Sequence, residues 1–244
     1  MKVALFITCV ADQLFPAVGV ATVRLLRRLG CEVSFPEAQA CCGQPAFNSG
    51  YTADARAAAS ALLDAFADAD FVVSPSGSCV GMVHHNYPEL FADDAPRLRD
   101  AQRFIGKSYE LSQFIVNVLG VTDVGAEFRG KVTYHASCHA ARLLGAREEP
   151  LALLRAVRGL ELVPLARCED CCGFGGAFSV KLADISSAMA DEKAEHIEST
   201  GAGHVISTDL GCLMNIQGRL DRRGSSVRSL HLAEVLAEEP AERP

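Results

Sequence analysis

Hydrophobic and polar positions follow two patterns along this chain, and each pattern predicts a kind of element. Short apolar runs predict buried β-strands, whereas apolar residues three or four positions apart predict helices that bury one face. The predicted strands of the first half are residues 2–8, 31–35 and 70–74. Its predicted helices are residues 15–30, which Gly30 ends, the alanine-rich segment 52–66, and residues 109–119.

The rest of the chain has the same order of elements. Its predicted strands are residues 131–136, 160–163 and 204–207, and its long predicted helix is residues 179–200, which ends before Gly201. Strands that alternate with helices are typical of a parallel sheet with helices on its faces. The pattern therefore predicts an α/β fold.

Four motifs occur twice, in the same order and at nearly constant spacing. The pairs are "KVALFITC" (2–9) with "KVTYHASC" (131–138), "CCGQPAF" (41–47) with "CCGFGGAF" (171–178), "VVSPSGSC" (72–79) with "VISTDLGC" (205–212), and "YELSQFI" (109–115) with "LHLAEVL" (230–236). Such self-similarity indicates a tandem duplication. We predict two domains, residues 1–127 and 128–244, each a small, mainly parallel sheet with flanking helices, packed together as one globule.

Composition excludes several classes of partner. The net charge of −7 and the lack of a basic run argue against a nucleic-acid surface. No apolar stretch reaches the length of a membrane span. The apolar run near the start is interpreted as a strand rather than a signal peptide, because it recurs inside the chain. We therefore expect a cytoplasmic protein, in which the ten cysteines stay reduced rather than form disulfides.

Eight of the ten cysteines belong to the repeated motifs. The set of the first half is Cys9, Cys41, Cys42 and Cys79, and the set of the second half is Cys138, Cys171, Cys172 and Cys212. In each set, two cysteines follow predicted buried strands and two form an adjacent pair in a glycine-containing loop. Open α/β sheets place their sites at the carboxyl edge of the strands, so each half is expected to bring four thiols together there.

Four converging thiols bind an iron–sulfur cluster or zinc, since thiolates are soft ligands and both accept a near-tetrahedral sulfur set. Adjacent cysteines favour a multi-iron cluster, because structural zinc sites usually space their cysteines two to four residues apart. Gly43 and Gly173 follow the pairs, and we expect their backbone N–H groups to approach the sulfurs. The alternative is that the eight cysteines are small buried hydrophobic residues, and the presence of two matching sets argues against it.

Other polar residues near these motifs are weaker candidates. Cys31 has no counterpart in the second half, and core packing is the favoured interpretation. Cys168 forms "CEDC" with Cys171, a spacing that also suits zinc, and it is left as an alternative ligand. Four histidines flank the ligand cysteines and could donate to cluster sulfurs or relay protons, or serve as solvated or capping residues: His84, His85, His135 and His139. No catalytic residue is identified, and no dinucleotide or phosphate-loop motif is present.

The twice-repeated pattern of Cys, Cys-Cys-Gly and Cys resembles the CCG-type cysteine-rich family, which includes the cysteine-rich subunit of heterodisulfide reductase and the iron–sulfur subunits of glycerol-3-phosphate and glycolate oxidases. The segments "CCGQPAFNSGY", "CCGFGGAFSVKLADIS", "GCLMNIQGRL" and "HLAEVL" resemble the stand-alone two-repeat members that serve lactate utilization. The resemblance spans nearly the whole chain. It implies an iron–sulfur subunit in a complex that oxidises L-lactate to pyruvate. The four thiols of a half could hold an ordinary [4Fe–4S] cluster, and we expect at least one such cluster. The implied partners are a ferredoxin-like iron–sulfur subunit and a third subunit.

The sequence departs from the heterodisulfide reductase relatives at one position in each half. There, a fifth cysteine follows three positions after the last one, whereas this chain has Met82 and Asn215. The leading hypothesis is therefore electron transfer rather than disulfide cleavage, by a subunit not expected to oxidise lactate alone. The alternatives are a thiol/disulfide reductase subunit and a zinc-stabilised assembly scaffold, and zinc in one half only also remains open.

Overall fold

The computed structural model describes residues 1–239, and two four-stranded sheets lie within this range. The strands of the first sheet are β1 (Lys2–Leu5), β2 (Glu32–Ser34), β3 (Val72–Ser74) and β4 (Ser108–Glu110). The strands of the second sheet are β5 (Glu127–Tyr134), β6 (Arg158–Val163), β7 (His204–Ser207) and β8 (Arg228–His231). The strand orders are β2-β1-β3-β4 and β6-β5-β7-β8, and every pairing is parallel.

Helices connect these parallel strands. Those of the first half are α1 (Cys9–Leu14), α2 (Pro16–Arg28), α3 (Gln44–Asn48), α4 (Thr52–Ala65), α5 (Gly77–Leu90), α6 (Ala95–Ile105) and α7 (Leu111–Gln113), which continues as a π-helical turn, Phe114–Val118. Those of the second half are α8 (Cys138–Arg142), α9 (Glu148–Ala156), α10 (Ala177–Lys181), α11 (Ala183–Ser199), α12 (Leu210–Arg222) and α13 (Leu232–Ala237). The predicted α/β fold of two repeats with flanking helices is confirmed.

Two strands were not predicted, β4 and β8. The segment predicted as a helix over residues 109–119 begins as β4, and the repeated motif "YELSQFI"/"LHLAEVL" is the junction where a strand passes directly into a helix. Glu110 ends β4 and accepts hydrogen bonds from the backbone N–H groups of Ser112 and Gln113. His231 ends β8 and accepts one from the N–H of Ala233. A side chain that caps the helix in this way replaces the turn residues that normally mark a strand end.

The long helix predicted over residues 179–200 is also different in the structure, because it is divided in two at Leu182. That residue has φ −124° and ψ 52°, outside the helical region, and separates α10 from α11. The division places the short helix α10 beside the loop that contains Cys171 and Cys172.

Three clusters of buried apolar side chains hold the layers together. The outer cluster of the first half lies between its sheet and α4, α5 and α6, and that of the second half lies against α11 and α12. The third cluster contains residues of both halves, including Leu25 and Leu26 of α2 and Leu232 and Leu236 of α13. The two sheets therefore share one middle layer, which makes the repeats a single packed body.

Side chains alternate between these clusters along each first strand. Val3 and Leu5 belong to the shared middle cluster, whereas Ala4 and Phe6 face the outer cluster of the first half. In the second half, the equivalents of Val3 and Leu5 are Val132 and Tyr134, which also belong to the middle cluster. His135 follows Tyr134 at the position equivalent to Phe6, so it faces the outer side of its own sheet.

Among the described residues, none of the helices is both long and apolar enough to cross a bilayer.

Candidate metal centre

The eight repeated cysteines lie at the carboxyl edges of the two sheets. Cys9 and Cys138 are the first residues of α1 and α8, which follow the central strands β1 and β5. Cys79 and Cys212 lie in the first turns of α5 and α12, near the positive end of each helix dipole. The adjacent pairs, Cys41–Cys42 and Cys171–Cys172, occupy the loops that follow β2 and β6.

The first set of thiols is a connected group. The Sγ atoms of Cys9 and Cys41 are 3.7 Å apart. Cys42 and Cys9 stabilise a thiolate at Cys41 and hold its pKa well below the usual range, and the N–H of Gly43 acts in the same direction. The thiols of Cys41 and Cys79, together with burial, raise the pKa of Cys42. Cys41 is therefore the thiol of this set whose ionised form is favoured, and a thiolate is the form that binds a metal cation.

The second set repeats this arrangement. Cys138 and Cys172 lower the pKa of Cys171, to which the N–H of Gly173 also contributes. The neighbours Cys171 and Cys212, together with burial, raise the pKa of Cys172. The other thiols of each set therefore shift the pKa values of the adjacent pair in the same directions in both halves.

All eight thiols line one open cavity of about 260 Å³. The two sets face each other across it, although they belong to different sheets. The ends of α5 and α8 meet beside the cavity, and the backbone N–H of Ser78 donates to Asp209 of the other half at 2.7 Å. The structure thus brings together all the cysteines predicted as ligands, in two groups that open into the same space.

Gly43 and Gly173 have a conformation that the other residue types rarely adopt. Their φ angles are +83° and +84°, in the left-handed region. The N–H of Gly43 donates to Cys41 Sγ at 3.5 Å, and that of Gly173 donates to Cys171 Sγ at 3.4 Å. A Cβ at position 173 would lie 2.6 Å from the carbonyl oxygen of Ser186. Each glycine therefore lets the loop turn back against a helix and direct an N–H at a sulfur.

Two other residues support the pairs from behind. The Tyr87 hydroxyl donates to the Cys42 carbonyl at 3.0 Å, and the Asn215 side chain donates to the Cys172 carbonyl at 2.8 Å. Met82, which occupies the place of Asn215 in the first half, is fully buried in the outer cluster. The two positions that hold a fifth cysteine in the heterodisulfide reductase relatives therefore have structural roles here.

The remaining cysteines and the flanking histidines differ in their distance from the cavity. Cys31 is buried in the shared middle cluster, as expected for core packing. Cys168 packs at the margin of the outer cluster of the second half, beside the thiol set. His139 lines the cavity with its Nδ1 3.5 Å from Cys138 Sγ. By contrast, His84 and His85 bind the backbone of Ser108 and Leu143, respectively, and do not line the cavity.

His135 is the residue whose position the sequence did not reveal. Its side chain is fully buried, and a ring nitrogen lies within 4.8 Å of the Sγ atoms of both Cys172 and Cys212. Burial and the nearby Lys193 ammonium lower its pKa to about 3, so the imidazole is neutral at neutral pH. Lys193 is itself buried, and its ammonium donates to the Arg167 carbonyl at 2.6 Å.

This donor set fits a soft metal centre. It consists of thiols that favour one thiolate in each set, backbone N–H donors directed at sulfur, and a neutral buried imidazole. Thiolates and imidazole are the ligands of zinc and of iron–sulfur clusters.

The chain matches the model of the CCG family, described as a cysteine-rich domain, over residues 3–84 and again over residues 132–217. The two matched segments contain the two sets of four cysteines.

Curated relatives match nearly the whole chain. "Lactate utilization protein A" of Geobacillus thermodenitrificans is 58% identical over 236 residues, which cover 97% of this chain and 98% of that protein. The protein of the same name from Bacillus subtilis is 56% identical, with 97% of this chain and 99% of that protein covered.

A solved structure described as a hypothetical protein from Helicobacter pylori has the same fold, with a TM-score of 0.70 at 10% identity. The match covers 99% of this chain and 49% of that structure, so this chain spans about half its length.

Proposed function

Since this chain belongs to the CCG cysteine-rich domain family, together with the proteins named lactate utilization protein A, we propose that it is the iron–sulfur electron-transfer subunit of a complex that oxidises L-lactate to pyruvate. Its role in lactate utilization rests on relatives that are 55–58% identical along nearly the whole chain. The proposal adds the redox role, the cofactor and the partners.

One observation carries the redox role: two matched sets of four thiols open into a single cavity. An iron–sulfur cluster needs four such ligands, and adjacent cysteines suit neighbouring irons better than one zinc ion. We propose that Cys9, Cys41, Cys42 and Cys79 bind one metal centre. In the same proposal, the equivalent cysteines of the second half bind another: Cys138, Cys171, Cys172 and Cys212.

The chain itself contributes ligands, hydrogen bonds and burial. When bound, a [4Fe–4S] cluster accepts and releases single electrons. Gly43 and Gly173 donate N–H groups to sulfur, and such bonds stabilise the added negative charge of a reduced cluster. The inner thiols of each set are buried, which keeps water from that side: Cys42, Cys79, Cys172 and Cys212. Electron transfer requires no acid–base pair, and none is assigned.

The partners follow from the same proposal. An electron-transfer subunit needs a donor and an acceptor, and we propose a ferredoxin-like iron–sulfur subunit and a third subunit in one complex. The cytoplasm is the proposed location, because ten free thiols and a cluster require a reducing compartment.

Disulfide reduction of the heterodisulfide type is less well supported. That chemistry uses a five-thiol set in its relatives, whereas Met82 is enclosed by apolar side chains and Asn215 binds the Cys172 carbonyl. Neither position supplies a sulfur ligand of the required kind.

Metal analysis tests the proposed cofactor. We expect anaerobically purified protein to contain iron and acid-labile sulfide, and to give an EPR signal after reduction. Cys41→Ser and Cys171→Ser should each lose roughly half of the iron, since each removes one ligand from one of two independent sets. The matched control is Cys31→Ala, which changes a cysteine of the core and should keep the full iron content. Protein that reconstitutes with zinc alone, and never with iron, would contradict the redox role and favour the scaffold.

A second experiment tests the complex. Tagged protein expressed with its genomic neighbours should purify with two further subunits, and that preparation should reduce a dye in the presence of L-lactate. The same preparation made with Cys41→Ser should keep its subunits and lose dye reduction. Full dye reduction with the variant would contradict the proposal that this subunit carries the electrons.

A further inference from the structure

The two sets of thiols are equivalent, but their surroundings are not. On the outer face of β1, Phe6 lies in the same apolar cluster as Cys42 and Cys79, with its ring 5.9 Å from that of Phe66. At the equivalent position of the second half, His135 lies beside Cys172 and Cys212. In the second half, an imidazole therefore occupies the place that an apolar ring occupies in the first half, beside the two buried thiols.

The imidazole of His135 has no hydrogen-bond partner among the described residues. Its exposure is 0%, and neither Nδ1 nor Nε2 has a hydrogen-bonded donor or acceptor among residues 1–239. An unpaired polar group in the interior has lost its hydrogen bonds to water without a replacement, so buried polar groups are nearly always paired. Phenylalanine at this position would avoid that loss, as Phe6 does in the first half. His135 does not itself line the cavity, but Cys172 and Cys212 beside it do, so a metal bound by these two thiols would provide the missing partner.

The geometry indicates which group that is. Atoms of His135, Cys172 and Cys212 lie within 4.8 Å of one another. Two ligands of one tetrahedral metal ion are separated by about 3.5–4 Å, given metal–sulfur and metal–nitrogen bonds near 2.3 Å and 2.0 Å. Small side-chain movements therefore suffice for all three to bind the same centre. The Cys168 carbonyl, which accepts a hydrogen bond from the backbone N–H of Ala136 at 3.2 Å, also lies near the ring.

We propose that His135 is a nitrogen ligand of the metal centre in the second half, so that this centre is bound by thiolates and imidazole while the centre of the first half is bound by thiolates alone. The inference rests on the proposed metal-binding role of the two thiol sets. It makes the two centres chemically different, although the repeated motifs are alike.

A difference in reduction potential follows from this ligand. Imidazole is a neutral ligand whereas each thiolate carries a negative charge, and histidine ligation raises the potential of iron–sulfur clusters. The buried ammonium of Lys193 acts in the same direction, and its equivalent on α4 is the apolar Leu62. Electrons that enter the protein should therefore settle on the centre of the second half.

Pulsed EPR on protein labelled with ¹⁵N-histidine tests the ligand directly. We expect the reduced wild-type protein to show the large ¹⁵N hyperfine coupling of a nitrogen bonded to iron. His135→Phe, which reproduces the first half, should lose this coupling and shift one reduction step to a more negative potential. His139→Phe is the matched control for the coupling, because His139 also lies beside a cysteine of the set, and it should keep the coupling.

Two further measurements keep the outcomes separate. If His135→Phe does not fold, His135→Gln takes its place: the labelled wild-type protein should show the coupling, and the Gln variant should lose it. If the second half takes up zinc, X-ray absorption at the zinc edge should show the scattering of one imidazole in the wild type and none in the His135 variant. Only weak ¹⁵N couplings in the wild type, or a strong coupling that survives in the His135 variants, would contradict the role of His135 as a ligand. Normal iron and sulfide contents in the same samples would leave the electron-transfer role intact. Protein that binds neither metal would overturn both.

Discussion

At the scale of single residues, the glycine after each cysteine pair determines the direction of the loop. Gly43 and Gly173 each have a left-handed backbone conformation, and the backbone N–H of each donates a hydrogen bond to the first sulfur of the pair. They also lie against the backbones of α4 and α11, where a Cβ would be 2.9 Å from the Ala55 carbonyl oxygen in the first half. A side chain at either position would strain the backbone and push the pair away from the helix.

Gly173→Ala should therefore destabilise the protein more than a substitution with backbone strain alone. The matched control is Gly50→Ala, because Gly50 also has φ +84° but has nothing within 4 Å of the position of its Cβ. We expect about 1–2 kcal/mol from the left-handed conformation in both variants. The clash with the Ser186 carbonyl should add about 1–3 kcal/mol in Gly173→Ala. Urea unfolding of the metal-free proteins measures the difference, and equal losses in the two variants would contradict the steric role.

At the scale of elements, the helix termini beside the cavity connect the two halves. Gly77 begins α5 and packs against Ala140 of α8, where a Cβ at position 77 would lie only 2.5 Å from the Ala140 Cβ. The backbone of Gly77 also donates to the Thr208 carbonyl at 3.3 Å. Small residues at this crossing allow the two sheet edges to approach, which brings the thiol sets into one cavity.

Gly77→Ala should separate these helices and cost about 1–3 kcal/mol of stability, as overpacking does elsewhere. The double variant Gly77→Ala with Ala140→Gly restores the space, and it should recover the loss except for about 1 kcal/mol from glycine inside α8. Chemical unfolding of the wild type, the two single variants and the double variant measures this coupling. Additive effects of the two substitutions would exclude the contact.

At the scale of the whole molecule, the two repeats depend on one middle layer. Leu25 and Leu26 of α2 are fully buried in the same cluster as Leu232 and Leu236 of α13, which belong to the opposite end of the chain. Each half alone would expose this face of its sheet to water. The duplication therefore produced two repeats that stabilise each other, rather than two independent domains.

We propose residues 1–127 and 128–244 as the two repeats, and we expect neither fragment to fold alone. The division falls after Glu127, the first residue of β5, and inside the register shift between Glu127 and Gly130, so the regular pairing from Gly130 onward stays in the second fragment. Co-expressed fragments should form a soluble one-to-one complex with the circular dichroism spectrum of the intact chain. Size-exclusion chromatography and thermal unfolding of each fragment test this, and cooperative unfolding of either fragment alone would contradict it.

The sequence by itself determined the α/β class, the duplication and the membership of the two thiol sets. These features are local or repeated: strands and helices show in hydrophobic periodicity, and motifs such as "CCGQPAF" and "CCGFGGAF" identify themselves by their similarity. It did not reveal β4 and β8, because these strands have three and four residues and lead into helices through the caps Glu110 and His231.

Only the tertiary structure decided that both sets open into one cavity and that His135 replaces Phe6 beside Cys172 and Cys212. Sequence identified the two sets but not their common cavity, because the contact of Gly77 with Ala140 joins residues of different repeats. Four histidines flanked the cysteines equally well in the sequence. The direction of a side chain and the burial of its ring depend on the packing of distant elements, and that packing alone separated His135 from the other three.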